Sequence, residues 1–299
     1  MHFALYGRNF GESAMKGIGR LLNHLCSRGV DVSFYSDLHD CVVRAGMKCP
    51  EPVAVFSSSE DLPDGVDALL TLGGDGTFLG SLTVVRDSGI PVAGINFGRL
   101  GFLASAGSED AGCSIVDRML EGRYTVKYRT LLKISCAGLP EDFFPYALNE
   151  VAIQRSGPNM VGIDVMLDGM GIPTYWADGL LVATPTGSTA YSLSIGGPVV
   201  VPDSSVFVIA PVAPHNLNVR PLVIPDGTIV EVKMRSDGQA TLLSADNRPV
   251  AIGEGQIIRI SKADFRIACV SFAKEDFMRA LNEKLLWGED RRNDRHTNI

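Results

Sequence analysis

The sequence predicts two fold classes in one chain of 299 residues, a parallel α/β domain followed by an all-β domain, a β-sandwich. Up to about residue 102, apolar runs alternate with helical patterns, which is the order of βα units in a parallel sheet. From about Arg123 to Val270, short strand-like runs recur between turn clusters, as in antiparallel sandwiches. After Phe272 the pattern returns to helix. We therefore expect an α/β domain over 1–102, completed by the C-terminal helix 273–299, and a β-sandwich over 103–272.

The first domain begins with an apolar strand at His2–Tyr6. A helix over 14–28 follows, because Ile18, Leu21 and Leu25 recur at the spacing of one helical face. The further predicted elements are strands at 30–35, 68–72 and 91–96, and helices at 79–88 and 108–120. In such a parallel sheet the ligand lies beyond the carboxyl ends of the strands.

The second domain shows its strands as short apolar runs, with turn signals between them. The clearest runs cover 124–131, 147–154, 162–167, 180–184 and 228–233, and turn clusters lie at 236–239 and 252–255. A helical pattern over 276–286 ends the predicted elements.

Composition excludes several classes of partner. The net charge of −7, with no long basic cluster, argues against a nucleic-acid surface. The six cysteines are dispersed without a C-x-x-C pair, so we expect reduced thiols and neither a disulfide frame nor a zinc site. No apolar stretch approaches the roughly 20 residues of a membrane span. We expect a cytoplasmic protein that binds neither nucleic acid nor membranes.

A glycine turn, Gly73-Gly74-Asp75-Gly76-Thr77, follows the buried strand 68–72, and a helical pattern begins at Phe78. Strand, glycine turn and helix N-terminus usually build a phosphate site, because backbone N–H groups point at the anion. A carboxylate there is repelled by phosphate unless it takes a proton or coordinates a metal. Asp75 is therefore a candidate base for a hydroxyl that attacks a phosphoryl group. The same residue also fits a turn or N-cap aspartate.

A second segment, 177–202, places many small hydroxylated side chains after the apolar strand Leu180 to Ala183: Thr184, Thr186, Ser188, Thr189, Ser192 and Ser194. Each buried hydroxyl without a partner costs about 1–3 kcal/mol. A polar ligand with a flat ring, beside the aromatic Tyr191, would supply those partners. The alternative is a turn whose hydroxyls cap their own backbone.

Together these segments resemble the NAD kinase family, which phosphorylates the adenosine 2′-hydroxyl of NAD. The glycine turn alone is also found in diacylglycerol kinases, sphingosine kinases and phosphofructokinases, whereas the 184–192 motif preceded by an Asn-Glu pair is specific. The resemblance covers most of the chain, at 73–77, 94–98, 100–103, 148–150, 178–179, 184–192, 214–215 and 220–222. It implies a Rossmann-like first domain, completed by the last helix, and a β-sandwich that carries the 184–192 loop.

The resemblance also implies roles for single residues. Asp75 matches the catalytic base, and Gly74 and Gly76 flank it as phosphate-binding amides. Asn149 and Glu150 match the pair that grips adenine and ribose, although Glu150 also suits a metal. Asp178 matches an aspartate that binds the ribose on the nicotinamide side, and Phe97 matches either a lid or a core plug. The remaining implied ligand-binding residues are Thr189, Ala190, Tyr191, Ser192, Ser194 and His215.

The implied activity is that of an ATP-dependent NAD kinase that forms NADP, with NAD and ATP as partners. A divalent ion such as Mg²⁺ would neutralise the triphosphate, and the implied assembly is a homodimer or homotetramer. The alternatives are a catalytically silent dinucleotide sensor and a lipid or sugar kinase with the same glycine turn. Trp176, Asn159 and Arg248 depart from residues common in the family, which affects the contacts expected at the nicotinamide end.

Overall fold

The computed structural model describes residues 1–8, 10–98, 101–106, 110–216, 218–235, 240–272 and 276–286. These residues form two compact units. Unit 1 comprises Met1–Lys127 and the described residues from Ala268 onward, and unit 2 comprises Tyr128–Ile267. The division after Lys127 lies later than the one expected after residue 102. The reason is a helix at Ala111–Leu120, whose Ile115, Val116 and Met119 are buried in the core of unit 1.

Unit 1 is built from alternating strands and helices. Its parallel sheet has the order β5-β4-β1-β2-β3, with β6 beside β5. This parallel order is the one that the alternating sequence pattern predicts. In chain order the elements are β1 His2–Tyr6, α1 Glu12–Arg28, β2 Asp31–Tyr35, α2 Ser36–Arg44, β3 Val55–Phe56, β4 Ala68–Leu72, α3 Asp75–Val85, β5 Val92–Asn96, β6 Ala104–Ala106 and α4 Ala111–Leu120.

The helix after the glycine turn differs from its prediction. It begins at Asp75 and ends at Val85, whereas the sequence placed its start at Phe78 and its body over 79–88. The cause is Gly74, whose extended backbone forms the N-cap and whose carbonyl accepts the N–H groups of Thr77 and Phe78. Asp75 therefore lies in the first helical turn.

Unit 2 contains two antiparallel sheets, and the all-β prediction is confirmed. One sheet has the order β14-β13-β12-β9-β16-β17 and the other runs β11-β10-β15-β18. β7 starts in unit 1, and β18 continues into it, where Cys269 pairs with Val92. The strands are β7 Thr125–Ser135, β8 Tyr146–Ala147, β9 Glu150–Arg155, β10 Val161–Leu167, β11 Met170–Ala177, β12 Gly179–Ala183, β13 Val206–Val212, β14 Leu222–Pro225, β15 Val230–Arg235, β16 Thr241–Ala245, β17 Arg248–Ile252 and β18 Ile257–Ser271.

The core of unit 2 lies between these sheets, because alternate residues of each strand point to opposite faces. Val151 and Ile153 of β9 pack there with Ile163 and Val165 of β10. The other face of the six-stranded sheet is covered by the hydroxyl-rich segment, which forms a 3₁₀ turn at Thr186–Thr189 and a short helix, α5, at Tyr191–Ser194. That segment is thus packed onto the sheet as a fixed part of unit 2.

A last helix, α6 Asp276–Leu285, ends the described chain within unit 1, close to the predicted 276–286. Phe277, Ala280, Leu281 and Lys284 share one face of it at helical spacing, and Ala280 and Leu281 are buried. Among the described residues, no helix is both long and apolar enough to cross a membrane.

Candidate active site

The turn between β4 and α3 has a backbone that requires glycine at its first position. Gly73 has a φ of +148°, and a Cβ atom there would lie 2.3 Å from Oγ1 of Thr77. The N–H of Gly73 donates to the carbonyl of Ile95 at 2.8 Å, which ties the turn to the end of β5. The turn therefore brings the start of α3 to the carboxyl edge of the sheet.

The start of α3 can bind an anion. The N–H groups of Asp75 and Gly76 are in the first turn, where a helix offers no carbonyl partner. No side chain caps this helix, and neither N–H has a hydrogen-bond partner among the described residues. Unpaired N–H groups and the helix dipole both attract negative charge.

The Asp75 carboxylate accepts hydrogen bonds from three backbone N–H groups. Phe102 donates to Oδ2 at 2.9 Å, and Leu103 and Ala104 donate to Oδ1 at 3.1 Å. A Cβ atom at Gly101 would lie only 1.9 Å from Oδ1, so the segment passes the carboxylate closely. The N-cap alternative is wrong, because this side chain reaches a segment 27 to 29 residues away instead of capping α3.

A cation also faces this carboxylate. Nζ of Lys284, on α6, lies 3.6 Å from Oδ2 of Asp75. The same Nζ is 4.7 Å from the centroid of the Phe102 ring. Lys284 was not predicted from the sequence, although its helical spacing from Phe277 and Leu281 was a signal that could have identified it.

Phe97 occupies the position of a core plug. Its ring lies against α1, where a Cβ atom at Gly17 would be 2.3 Å from Cδ1 of Phe97. The side chain is partly buried and packs on the apolar core of unit 1. Of the two roles that the sequence left open, this packing matches the plug.

Some of the hydroxyls that follow β12 have a hydrogen-bond partner in the backbone, and others do not. Thr184 donates to the carbonyl of Leu148 at 2.5 Å, Ser188 to that of Pro185 at 2.7 Å, and Thr189 to that of Thr186 at 3.3 Å. For these residues a ligand is not needed to satisfy the hydroxyl, which corrects the expectation from burial. Oγ of Ser192 is buried without a partner among the described residues, and Ser194 is exposed.

The same segment packs against the Asn-Glu pair. The carbonyl of Asn149 accepts the N–H of Thr184 at 2.9 Å, and a Cβ atom at Gly187 would lie 2.0 Å from that oxygen. Asn149 is only 8% exposed, and its side-chain amide makes no hydrogen bond within the described chain. A buried amide without partners can still bind the edge of a ligand.

Glu150 is a buried acid beside a second one, Asp246. Burial, followed by the charge of Asp246, raises the pKa of Glu150 to about 7, opposed by the N–H of Tyr191. Its Oε2 has no hydrogen-bond partner among the described residues. Asp246 was not predicted from the sequence; it lies in a two-residue turn between β16 and β17.

Asp178 and His215 lie near one another in unit 2. Nε of Arg155 binds Oδ1 of Asp178 at 2.8 Å, and this hydrogen bond lowers the pKa of Asp178, helped by the charge of His215. His215 is exposed, and its N–H donates to the carbonyl of Trp176 at 2.8 Å. Arg155 was not predicted from the sequence, because only the pairing of β9 with β12 brings it beside Asp178.

Tyr191 lies over the outer face of the six-stranded sheet. Its ring packs against the cluster of Ala152, Leu181, Ala183 and Val208. Its hydroxyl accepts a hydrogen bond from Nε2 of Gln154 at 3.2 Å. Thr189 and Ala190, which precede it, are partly exposed.

The three residues that depart from the family pattern differ in their settings. Trp176 is 42% exposed, and Asn159 is exposed. Arg248 instead faces the interior of unit 2, where its NH2 lies 3.7 Å from Oδ2 of Asp246 and its guanidinium lies over the Phe144 ring. Within the described chain, no group of three or more His, Cys, Asp or Glu residues is arranged to hold a metal.

The α/β unit has a glycine turn and a carboxylate at the start of α3, and the sandwich unit has a buried Asn-Glu pair beside an aromatic loop. These features are typical of a two-domain nucleotide-dependent phosphotransferase. Family models agree with this class. Residues 42–124 match the ATP-NAD kinase N-terminal domain, and residues 148–272 match the ATP-NAD kinase C-terminal domain. The chain belongs to the NAD kinase family.

Relatives of known name match over nearly the whole chain. The NAD kinases of Flavobacterium psychrophilum and Christiangramia forsetii are each 40% identical over 296 residues, covering 98% of this chain and 100% of theirs. Among solved structures, yeast NADH kinase complexed with NADH matches with a TM-score of 0.85 and 26% identity, over 97% of this chain and 89% of that one. An NAD kinase from Archaeoglobus fulgidus in complex with ATP matches with a TM-score of 0.72 and 26% identity, over 95% and 98%.

Proposed function

We propose that this chain transfers a phosphoryl group from ATP to the 2′-hydroxyl of the adenosine ribose of NAD, giving NADP, with Asp75 as the general base. Family membership supports the overall reaction. One observation carries the assignment of the base. Asp75 is a carboxylate at the start of α3, beside unpaired N–H groups, with its orientation fixed by the three N–H donors at 102–104.

The reaction needs a proton acceptor because a ribose hydroxyl is a poor nucleophile near neutral pH. The hydroxyl oxygen attacks the γ-phosphorus, and a new P–O bond forms as the bond from that phosphorus to ADP breaks. The hydroxyl proton passes to the Asp75 carboxylate. A base in this position contributes about 10²–10⁴-fold to the rate.

The ligand contacts proposed in unit 2 start from its unpartnered polar groups. The Asn149 amide and Oε2 of Glu150 bind adenine and ribose, supported by their burial without side-chain partners among the described residues. Asp178 binds the ribose on the nicotinamide side, and the Tyr191 ring stacks on adenine. The further proposed ligand-binding residues are Thr189, Ala190, Ser192, Ser194 and His215, with Gly74 and Gly76 in unit 1. Phe97, the other candidate in unit 1, packs on the core instead.

The proposed divalent ion, Mg²⁺, would neutralise charge on the triphosphate. Mg²⁺ usually binds substrate phosphates, water and only one or two carboxylates, so the triphosphate and water would supply most of its ligands and no dedicated cluster of side chains is required. A homodimer or homotetramer, and a cytoplasmic location, stay predictions.

The test is NADP formation by the Asp75→Asn variant, with ATP, Mg²⁺ and NAD. We expect kcat to fall about 10²–10⁴-fold, while the Tm stays close to that of the wild type. Asp87→Asn is the matched control, since Asp87 is an exposed carboxylate just after α3. Turnover by Asp75→Asn equal to that of Asp87→Asn would eliminate the general-base role.

A further inference from the structure

Lys284 lies in the last turn of α6, where a basic side chain also complements the helix dipole. It shares one helical face with Phe277, Ala280 and Leu281, of which Ala280 and Leu281 are buried. Its side chain is 30% exposed. The ammonium therefore lies at the exposed end of this face, where a ligand can reach it.

The glycine turn supplies no cation of its own to a bound phosphate. Residues 73–77 contain no basic side chain, and Asp75 adds a negative charge. A carboxylate repels a triphosphate, and the repulsion grows where water is excluded. The helix dipole offsets only part of it, since a helix N-terminus carries roughly half an elementary charge.

Lys284 is the cation that α6 places beside this turn. Its Nζ is 3.6 Å from Oδ2 of Asp75, which is within ion-pair range but too long for a hydrogen bond. The Phe102 ring, 4.7 Å from Nζ, holds the ammonium by a cation–π contact. The ammonium donates no hydrogen bond to any of the described residues, so its N–H donors remain available to a ligand.

Asp75 does not need Lys284 as a hydrogen-bond donor, because three backbone N–H groups already bind its two oxygens. We propose that Lys284 binds the phosphoryl group that is transferred, by donating to its oxygens beside Asp75. This inference rests on the proposed function of Asp75. In the reaction, Lys284 gives up no proton; it offsets the charge of the phosphoryl oxygens while the ribose proton passes to Asp75.

The test compares Lys284→Met and Lys284→Arg with Glu283→Gln, a control at an exposed neighbouring position of α6. Methionine keeps an unbranched side chain over Phe102 and removes the charge. We expect Lys284→Met to raise the KM for ATP about 10- to 100-fold, as for loss of a charged hydrogen bond. The KM for NAD should change less than about twofold, and arginine should restore most of the loss because it keeps the charge.

Two outcomes would overturn the inference. One is an unchanged KM for ATP in Lys284→Met. The other is an equal rise in the KM values for ATP and NAD together with a lowered Tm, which would show that Lys284 only anchors α6. Calorimetric titration with Mg²⁺-ATP in the absence of NAD separates this inference from the proposed function. If the wild type forms no NADP, weaker ATP binding by Lys284→Met still supports the role of Lys284, and equal binding refutes it.

Discussion

Oδ1 of Asp246 accepts a hydrogen bond from the backbone N–H of Glu150 at 3.2 Å. The side chains of both residues are buried acids. The same carboxylate accepts the N–H groups of Leu148 and Asn149 at 3.1 and 2.8 Å. Burial raises the pKa of Asp246, while Arg248 and these donors oppose the rise. Burial also raises the pKa of Glu150, opposed by the Tyr191 N–H, so these two acids bind a proton more readily than exposed carboxylates do.

This pair predicts a pH-dependent stability. The pKa of Glu150 rises from 4.5 to about 7 on folding, so the folded state holds this proton more tightly than the unfolded state does. The stabilisation that this proton gives the folded state is complete below pH 4.5 and is lost as the pH rises to about 7. Glu150→Gln should therefore gain stability relative to the wild type as the pH rises, by no more than about 3 kcal/mol at pH ~8.

The measurement is urea unfolding of the ligand-free protein at about pH 5 and about pH 8. The exposed Glu254 provides a control variant, Glu254→Gln, at the turn before β18. A difference between Glu150→Gln and the wild type that is the same at both pH values would contradict the prediction.

Gly101→Ala should impair catalysis by displacing the Asp75 carboxylate. The added Cβ would lie 1.9 Å from Oδ1, so either the carboxylate or the 101–104 segment must move. A shift of about 1 Å at a reacting group can cost about 10²-fold in rate. Steady-state NADP formation measures this loss. The control is Gly11→Ala, where no heavy atom lies within 4 Å of the new Cβ, and it should keep wild-type activity. A comparable loss of activity in Gly11→Ala would show that displacement of Asp75 is not the cause.

Gly187→Ala should destabilise the loop over the Asn-Glu pair. Its Cβ would meet the backbone carbonyl of Asn149 at 2.0 Å, and a backbone atom cannot move aside as a flexible side chain can. We expect a loss of about 1–3 kcal/mol in the free energy of unfolding and weaker NAD binding by calorimetry. Gly171→Ala, with open space around its Cβ, is the control, and similar values for both variants would refute the argument.

Tyr191 should act through its ring more than through its hydroxyl. Tyr191→Phe removes the bond from Gln154 and should cost about 0.5–1.5 kcal/mol of stability with little change in the KM for NAD. Tyr191→Ala removes the ring and should raise that KM about tenfold or more, because a stacked aromatic contact and its burial are both lost. Equal KM values for the two variants would exclude stacking on the substrate.

Much of the fold was predictable because its signals are local. The α1 face formed by Ile18, Leu21 and Leu25 is fully buried as predicted, and β1 and β4 have the predicted bounds. The start of α3 was missed by three residues because Gly74 provides the N-cap, and glycine carries no side-chain signal for that role.

The sequence by itself determined the fold class, the glycine turn after β4 and the candidates for chemistry, since motifs such as 73–77 and 184–192 are continuous in the chain. Only the tertiary structure decided what surrounds them. In the folded chain, the N–H groups of 102–104 and the ammonium of Lys284 lie beside the Asp75 carboxylate. Arg155 pairs with Asp178, and Asp246 accepts the backbone N–H groups of Asn149 and Glu150. The physical reason is that these partners are separated by 23 to 209 residues, and strand register and helix packing, not local sequence, bring them within hydrogen-bond or ion-pair distance.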